Sequence, residues 1–237
     1  MLSIKRISPI ILASLITASL ATAGDPGSGV SKRVLDFVSY YSGIWDNELQ
    51  TQQPGDDHAF VQARVVPVDI ECFMPNPVLF AEESINGVLK VFFLLVLTED
   101  IEDTVSLAFY TFANESNYKP REFKVESFSN MSCGAFHRVE NCTGSFRVAK
   151  GYAFGNFPEC LYTIGGKHPR FTLLLRCDSI TVTIPQNTDQ PSPIESYEFL
   201  HTGPKFSVLN PPKGYVAPCE PKIKNIANKN SLEPSTS

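Results

Sequence analysis

Apolar positions along the chain recur mostly with a period of two, and only near the start with helical spacing. Val34, Leu35, Val38 and Tyr41 fall on one side of a helix, and Gly43 beyond them predicts its stop. Ile44-Trp45-Asp46 then opens an extended segment that holds the only tryptophan. Alternating or continuous apolar runs predict strands over 59–68, 78–84, 88–97, 104–112, 144–148, 171–177, 179–184 and 196–200. Asn86-Gly87 is a hairpin turn between two of these runs. Turn-rich stretches at 51–58, 72–77 and 185–193, and the pair Gly165-Gly166, break up the others, while 122–125 reads as a short helix or strand. One short N-terminal helix followed by many short strands predicts an all-β, meandering antiparallel sheet. Such a sheet removes its exposed edges by closing into a barrel.

The first residues change the compartment. Lys5 and Arg6 precede an apolar run over 7–20, and Ala21-Thr22-Ala23 forms a cleavage site between Ala23 and Gly24. The expected organisation is a signal peptide over 1–23, a flexible segment over 24–33, a barrel domain over 34–217 and a disordered tail over 218–237. No later apolar run has the length of a membrane span. A secreted, extracellular chain makes its six cysteines, Cys72, Cys133, Cys142, Cys160, Cys177 and Cys219, candidates for three disulfides. Asn114, Asn130 and Asn141 each begin an N-x-S/T sequon and predict glycosylation on solvent-facing loops. The formal net charge of −5 is spread among mixed signs, which gives no basic stripe for nucleic acid. The cysteines and histidines lack the spacing of a structural zinc site.

Candidate chemistry gathers around Trp45. Asn47 and Gln50 place two uncharged amides beside the indole, an arrangement that closes one end of a pocket or plugs a barrel; a lone tryptophan is more often core. Glu82 and Glu83 are neighbours on a strand, so only one enters the barrel. A carboxylate there would have its pKa raised by desolvation; the plainer alternative pairs Glu82 with a nearby cation. The serines lack a G-x-S-x-G elbow, and no glycine-rich phosphate cradle is present. No catalytic or metal residue is assigned.

The order of these segments resembles a known family. Gly43-Ile44-Trp45-Asp46-Asn47-Glu48-Leu49-Gln50 resembles the G-x-[FW]-[SD]-N-x-x-Q opening of the CpcT/CpeT phycobiliprotein chromophore lyases. Phe80-Ala81-Glu82-Glu83 is similar to the family's aromatic-x-Glu-Gln element, with Glu83 where glutamine is usual. The resemblance implies a calyx-shaped, lipocalin-like antiparallel β-barrel that in cyanobacteria holds a linear tetrapyrrole. It also implies a Cys133–Cys160 disulfide; for the four cysteines left, Cys142–Cys177 and Cys72–Cys219 are the expected pairs, and a local Cys133–Cys142 bridge is the alternative. Where the family carries Tyr-Arg-x-Arg, this chain has Leu89-Lys90-Val91-Phe92, losing both guanidinium forks. The expectation is therefore the family's barrel without its lyase chemistry.

Three functional expectations follow. The first is a secreted binding module whose barrel takes a bilin or other small apolar ligand, with Trp45, Asn47, Gln50, Glu82 and Tyr110 as contacts. The second is a structural glycoprotein with a filled barrel, its partners the components of an extracellular or skeletal matrix. A chromophore lyase is the weakest.

Overall fold

Helix α1 (Lys32–Tyr41) starts where the Ser31 hydroxyl accepts a hydrogen bond from the Val34 amide at 3.3 Å, which satisfies one of the donors a helix start leaves free. It therefore begins inside the segment expected to be flexible. The computed structural model describes residues 29–100, 103–114, 125–160, 170–184 and 195–220. The expected signal sequence with its Ala23–Gly24 junction, the short element at 122–124, Gly165-Gly166, the 185–193 loop and the tail beyond 220 lie outside these residues.

Ten strands follow α1: β1 (Gly43–Asp46), β2 (Val61–Val68), β3 (Val78–Ile85), β4 (Val88–Glu99), β5 (Thr104–Phe112), β6 (Phe136–Ala149), β7 (Tyr152–Phe157), β8 (Phe171–Leu175), β9 (Ser179–Ile184) and β10 (Glu195–His201). Each pairs antiparallel with the next, and β10 returns to β1, so the sheet is a closed barrel. The all-β expectation holds. A one-turn helix, α2 (Glu48–Thr51), follows β1. Strand β7 and the first half of β6 have no counterpart in the apolar pattern.

Both faces of the β3–β5 wall are buried. Leu79, Ala81, Phe93, Leu95, Leu107 and Phe109 point inward. Their neighbours Val78, Phe80, Phe92, Leu94 and Phe112 form an outer cluster with Phe128 and Phe136. The 3-10 turns at Glu71–Phe73, Val125–Asn130 and Cys133–Ala135 adjoin this outer cluster, and Phe73 packs 5.5 Å from Phe136.

One end of the barrel is stopped by α1. Phe37 lies 5.8 Å from Tyr41 and 5.0 Å from Phe146, and ring contacts continue through Phe157 (5.3 Å), Phe109 (5.0 Å) and Phe93 (4.8 Å). Arg33 ties the helix to Glu99, and at 3.2 Å to Asp103, at the β4–β5 turn. The Tyr40 hydroxyl accepts from the Gly151 amide at 2.8 Å at the β6–β7 turn. The chain after β10 runs back along α1, where the Cys219 amide donates to the Ser39 hydroxyl at 3.2 Å.

The disulfides are Cys142–Cys160 and Cys177–Cys219, both with Cα atoms 5.1 Å apart. This corrects every expected pairing: Cys133–Cys160, Cys142–Cys177, Cys72–Cys219 and the alternative Cys133–Cys142. Register is the reason. Ser145 opposes Asn156, so the β6–β7 hairpin carried outward brings Cys142 beside Cys160. Cys133 precedes β6 and sits beside the outer cluster. Asn114, Asn130 and Asn141 are exposed, as a glycosylated asparagine must be. Asn141, however, lies within β6 at φ 57°, where that strand has extra residues against β5, rather than in a loop.

Gly155 is the tightest point of the wall. A Cβ there would stand 2.1 Å from the Ser145 carbonyl oxygen and 2.6 Å from Phe146 Cγ. Gly155→Ala is expected to lower stability by about 1–3 kcal/mol, as overpacking of a filled interior does. Urea unfolding followed by circular dichroism would show this as a lower midpoint.

Candidate functional site

Strand β1 meets β10 over only two residue pairs, Trp45 with His201 and Asp46 with Leu200. The backbone then turns into α2, which leaves the edges of β10 and β2 short of partners. Side-chain amides take over. The Gln50 amide donates to the Ser196 carbonyl at 2.9 Å, and its oxygen accepts from the Glu198 amide at 3.0 Å. Asn47 treats β2 in the same way: its amide donates to the Ala59 carbonyl at 2.9 Å, and its oxygen accepts from the Val61 amide at 2.7 Å. Each side chain stands in for a missing peptide unit in the ladder, where an unpaired buried group would be costly. Asn47 and Gln50, expected as ligand contacts, are instead occupied in closing the barrel.

Trp45 is fully buried. Its Nε1 donates to the Tyr41 carbonyl at 3.0 Å, and its ring meets His201 edge-on at 5.0 Å. The Lys205 ammonium lies 4.3 Å from the ring centroid and donates to the Tyr40 carbonyl at 3.1 Å, so it caps the end of α1. Burial pushes the Lys205 pKa down to about 8, with Asp178 opposing the shift. Burial, and then the Lys205 charge, lower that of His201. Gly43 has φ +150°, and a Cβ there would lie 2.9 Å from the His201 ring, so this glycine makes room for the indole stack in addition to ending the helix region. The indole is core.

Glu82 points outward, against the expectation that it lines the pocket. Arg64, its cross-strand partner, donates to it at 2.9 Å. Tyr110 is also on the outside, 4.8 Å from Phe73 in the outer cluster. Parity decides both: Ala81 and Phe109 are the inward neighbours, so Glu82 and Tyr110 face away from the barrel.

Glu83 is the carboxylate that enters. It opposes Ala63, which opposes Trp45, so the three share the inner face. Solvent still reaches Glu83, yet the protein around it raises its pKa through desolvation, and no described residue gives it a hydrogen bond. Tyr41 lies close enough for the Glu83 charge to add to the burial that raises the phenol's pKa. Val61, Ala63, Val91, Phe171, Val182 and Tyr197 are half-buried around the same end of the barrel, opposite α1. Together with Glu83 they line the inner wall at that end of the barrel, which we call the cup. Strand alternation by itself gives Glu83 no preference over Glu82 for the inner face. A groove of about 440 Å³ lies outside the barrel between α1, the 67–78 stretch and residues 208–212. Its one ionisable lining group, Asp69, already accepts from Asn210 at 3.2 Å. The cup, whose carboxylate receives no hydrogen bond from the described residues, is the better candidate. Among the described residues, no group of His, Cys, Asp and Glu is placed to hold a metal ion, and no helix is long and apolar enough to cross a membrane.

The fold and cup define a calyx-shaped antiparallel barrel. Among solved structures the chain is similar to the T-type phycobiliprotein lyase CpeT from Prochlorococcus phage P-HM1, with a TM-score of 0.46 and 10% identity over 73% of this chain and 99% of that one. It is also similar to the CRL protein of Arabidopsis, with a TM-score of 0.49 and 14% identity over 72% of this chain and 98% of that one. The first bears the family name that the sequence motifs resemble. No family model matches the chain, and no curated protein matches it.

Two substitutions test these assignments. Asn47→Ala removes both surrogate ladder bonds and is expected to cost about 1–3 kcal/mol, the penalty for stranding buried backbone groups. Chemical denaturation measures that loss, and Val61 should lose amide-exchange protection. Glu83→Gln is expected to stabilise the protein at neutral pH. A raised carboxyl holds its proton in the folded state after the unfolded chain, with its ordinary value of 4.5, has lost it. Its contribution therefore falls as pH rises from that value through the folded one. Melting temperatures of wild type and variant should converge near pH 4 and separate by pH 7, with the variant higher.

Proposed function

We propose that this chain is an exported, disulfide-bonded glycoprotein that holds a small apolar or tetrapyrrole-like ligand in the cup of its barrel, as a binding module. One observation carries the reading: half-buried apolar side chains on the inner wall flank a desolvated carboxylate to which no described residue donates a hydrogen bond. Small-molecule sites combine apolar walls with a few such convergent polar groups. Glu83 would accept from a ligand N–H or hydroxyl, which suits a pyrrolic or amphipathic guest. The basic-then-apolar N-terminus, the disulfides and three exposed sequon asparagines support the extracellular setting.

The second reading is a structural component of an extracellular or skeletal matrix, and a separate observation favours it. The phenylalanine chain from Phe37 to Phe93 fills the helix-side half of the barrel, leaving the surface to make contacts.

Titration with biliverdin, and separately with a long-chain fatty acid, distinguishes them. Trp45 sits beside Ala63 on the inner wall, so a guest in the cup should quench its emission saturably. Ala63→Phe fills the cup and should weaken binding at least about ten-fold, or by roughly 1.4 kcal/mol, with the far-ultraviolet circular dichroism spectrum unchanged. Absence of saturable binding for both ligands, together with recovery of the protein only from bleached insoluble matrix, would select the structural reading.

A further inference from the structure

The cysteines outside the two disulfides are not scattered. Cys72 is half-buried in the turn after β2, and Cys133 is exposed in the turn before β6. Cys72 and Cys133 are 61 residues apart in the sequence, yet both turns lie against the outer hydrophobic cluster. Phe73, next to Cys72, packs against Phe136, three residues beyond Cys133, at 5.5 Å, and against Tyr110 at 4.8 Å. The Ala135 carbonyl accepts from the Ala113 amide at 2.9 Å, which holds the second turn on the end of β5. The Cys133 side chain is a near neighbour of the Cys72 thiol. Burial, followed by this contact, pushes the Cys72 pKa up to about 11.

We propose that Cys72 and Cys133 form a third disulfide, exchangeable from solvent, that clasps the two turns over the outer cluster of the barrel. The chemistry is ordinary thiol–disulfide exchange with a small-molecule disulfide. Cys133 is the sulfur that solvent exposes, so it attacks first: a Cys133–S–S–R bond forms, the small disulfide's S–S bond breaks, and one RS⁻ leaves. The Cys72 thiolate then displaces the second RS⁻ from the Cys133 sulfur. The two protons released by the protein thiols end on the two leaving thiolates. The protein sulfurs are oxidised by two electrons and the small disulfide is reduced by two. The Cys142–Cys160 pair is buried and cannot be attacked in this way without unfolding; Cys72–Cys133 is open to reagent from the Cys133 side.

The closed clasp would hold the Cys72 and Cys133 turns, which cover Phe80, Phe112 and Phe136, independently of whether the cup binds anything. The test is therefore separate from the ligand titration. Refold the full chain in mixed reduced and oxidised glutathione, alkylate it in denaturant without reduction, and map the peptides by mass spectrometry. The expected result is no alkylated cysteine and a Cys72 peptide joined to a Cys133 peptide. Alkylation of both residues, or their linkage to other cysteines, would overturn the proposal. In a second measurement, dithiothreitol added to the folded protein should open this pair well before Cys142–Cys160. The Cys72→Ser/Cys133→Ser double variant should keep the barrel's circular dichroism while proteolysis at these turns accelerates about ten-fold. Equal cleavage rates in oxidised wild type and variant would show that no clasp exists.

Discussion

The barrel depends on closure at its shortest seam. Strands β1 and β10 share two residue pairs, and the remaining length is completed by the Gln50 amide on β10 and the Asn47 amide on β2. A sheet that fails to close leaves unpaired donors and acceptors along two edges. It would also expose the inner phenylalanines, because α1 covers one end only. The Trp45 region strengthens this junction. The indole, the His201 ring and the Lys205 ammonium pack together, and the Thr202 hydroxyl donates to Asp46 at 2.7 Å just past the last backbone pair.

That dependence explains why the sequence located the region but left its task open. An asparagine and a glutamine beside a tryptophan read equally well as pocket contacts or as ladder substitutes. The difference lies in where β10 arrives, about 150 residues later, and no local pattern carries that information. Eight strands were legible because their apolar residues alternate or run continuously, and β9 (Ser179–Ile184) was legible to the residue. Strand β7 was not, because Gly155 and Asn156 interrupt its apolar pattern. Gly155 is there because Phe146 and the Ser145 carbonyl leave no room for a side chain. The first half of β6 was hidden by its polar face and by the extra residues around Asn141.

The two glutamates show the same limit at the scale of one residue. Alternation fixes that Glu82 and Glu83 part company, but the phase of β3 could not be read. Val78, Leu79, Phe80 and Ala81 are all buried, the even positions under the outer turns and the odd ones inside. Only pairing with Ala63 and Trp45 sets the phase and sends Glu83 inward. The plainer reading of Glu82, an ion pair with a neighbouring cation, is the one realised through Arg64. The cysteine pairings failed for a related reason. The first pairing was carried over from a resemblance and the others were built around it, whereas the register of a hairpin whose second strand went unrecognised decides that Cys142 meets Cys160.

The interior divides in two along its axis, and this division sets what the cup can be. At the α1 end, rings touch from Tyr41 through Phe37, Phe146, Phe157 and Phe109 to Phe93, and interiors packed in this way yield little to a guest. At the other end Val61, Ala63, Val91 and Val182 line the wall beside Tyr197 and Phe171, whose ring lies 5.0 Å from Phe157, and Glu83 is only half-buried there. A ligand would therefore rest on a rigid aromatic floor rather than sink into a deep channel. The floor also supplies the low-dielectric surroundings that keep the Glu83 carboxyl reluctant to ionise, which makes a hydrogen-bond donor on the guest worth more there than in water. The aromatic filling that favours a structural reading of the lower half is thus what gives the upper half a defined shape and a polar anchor.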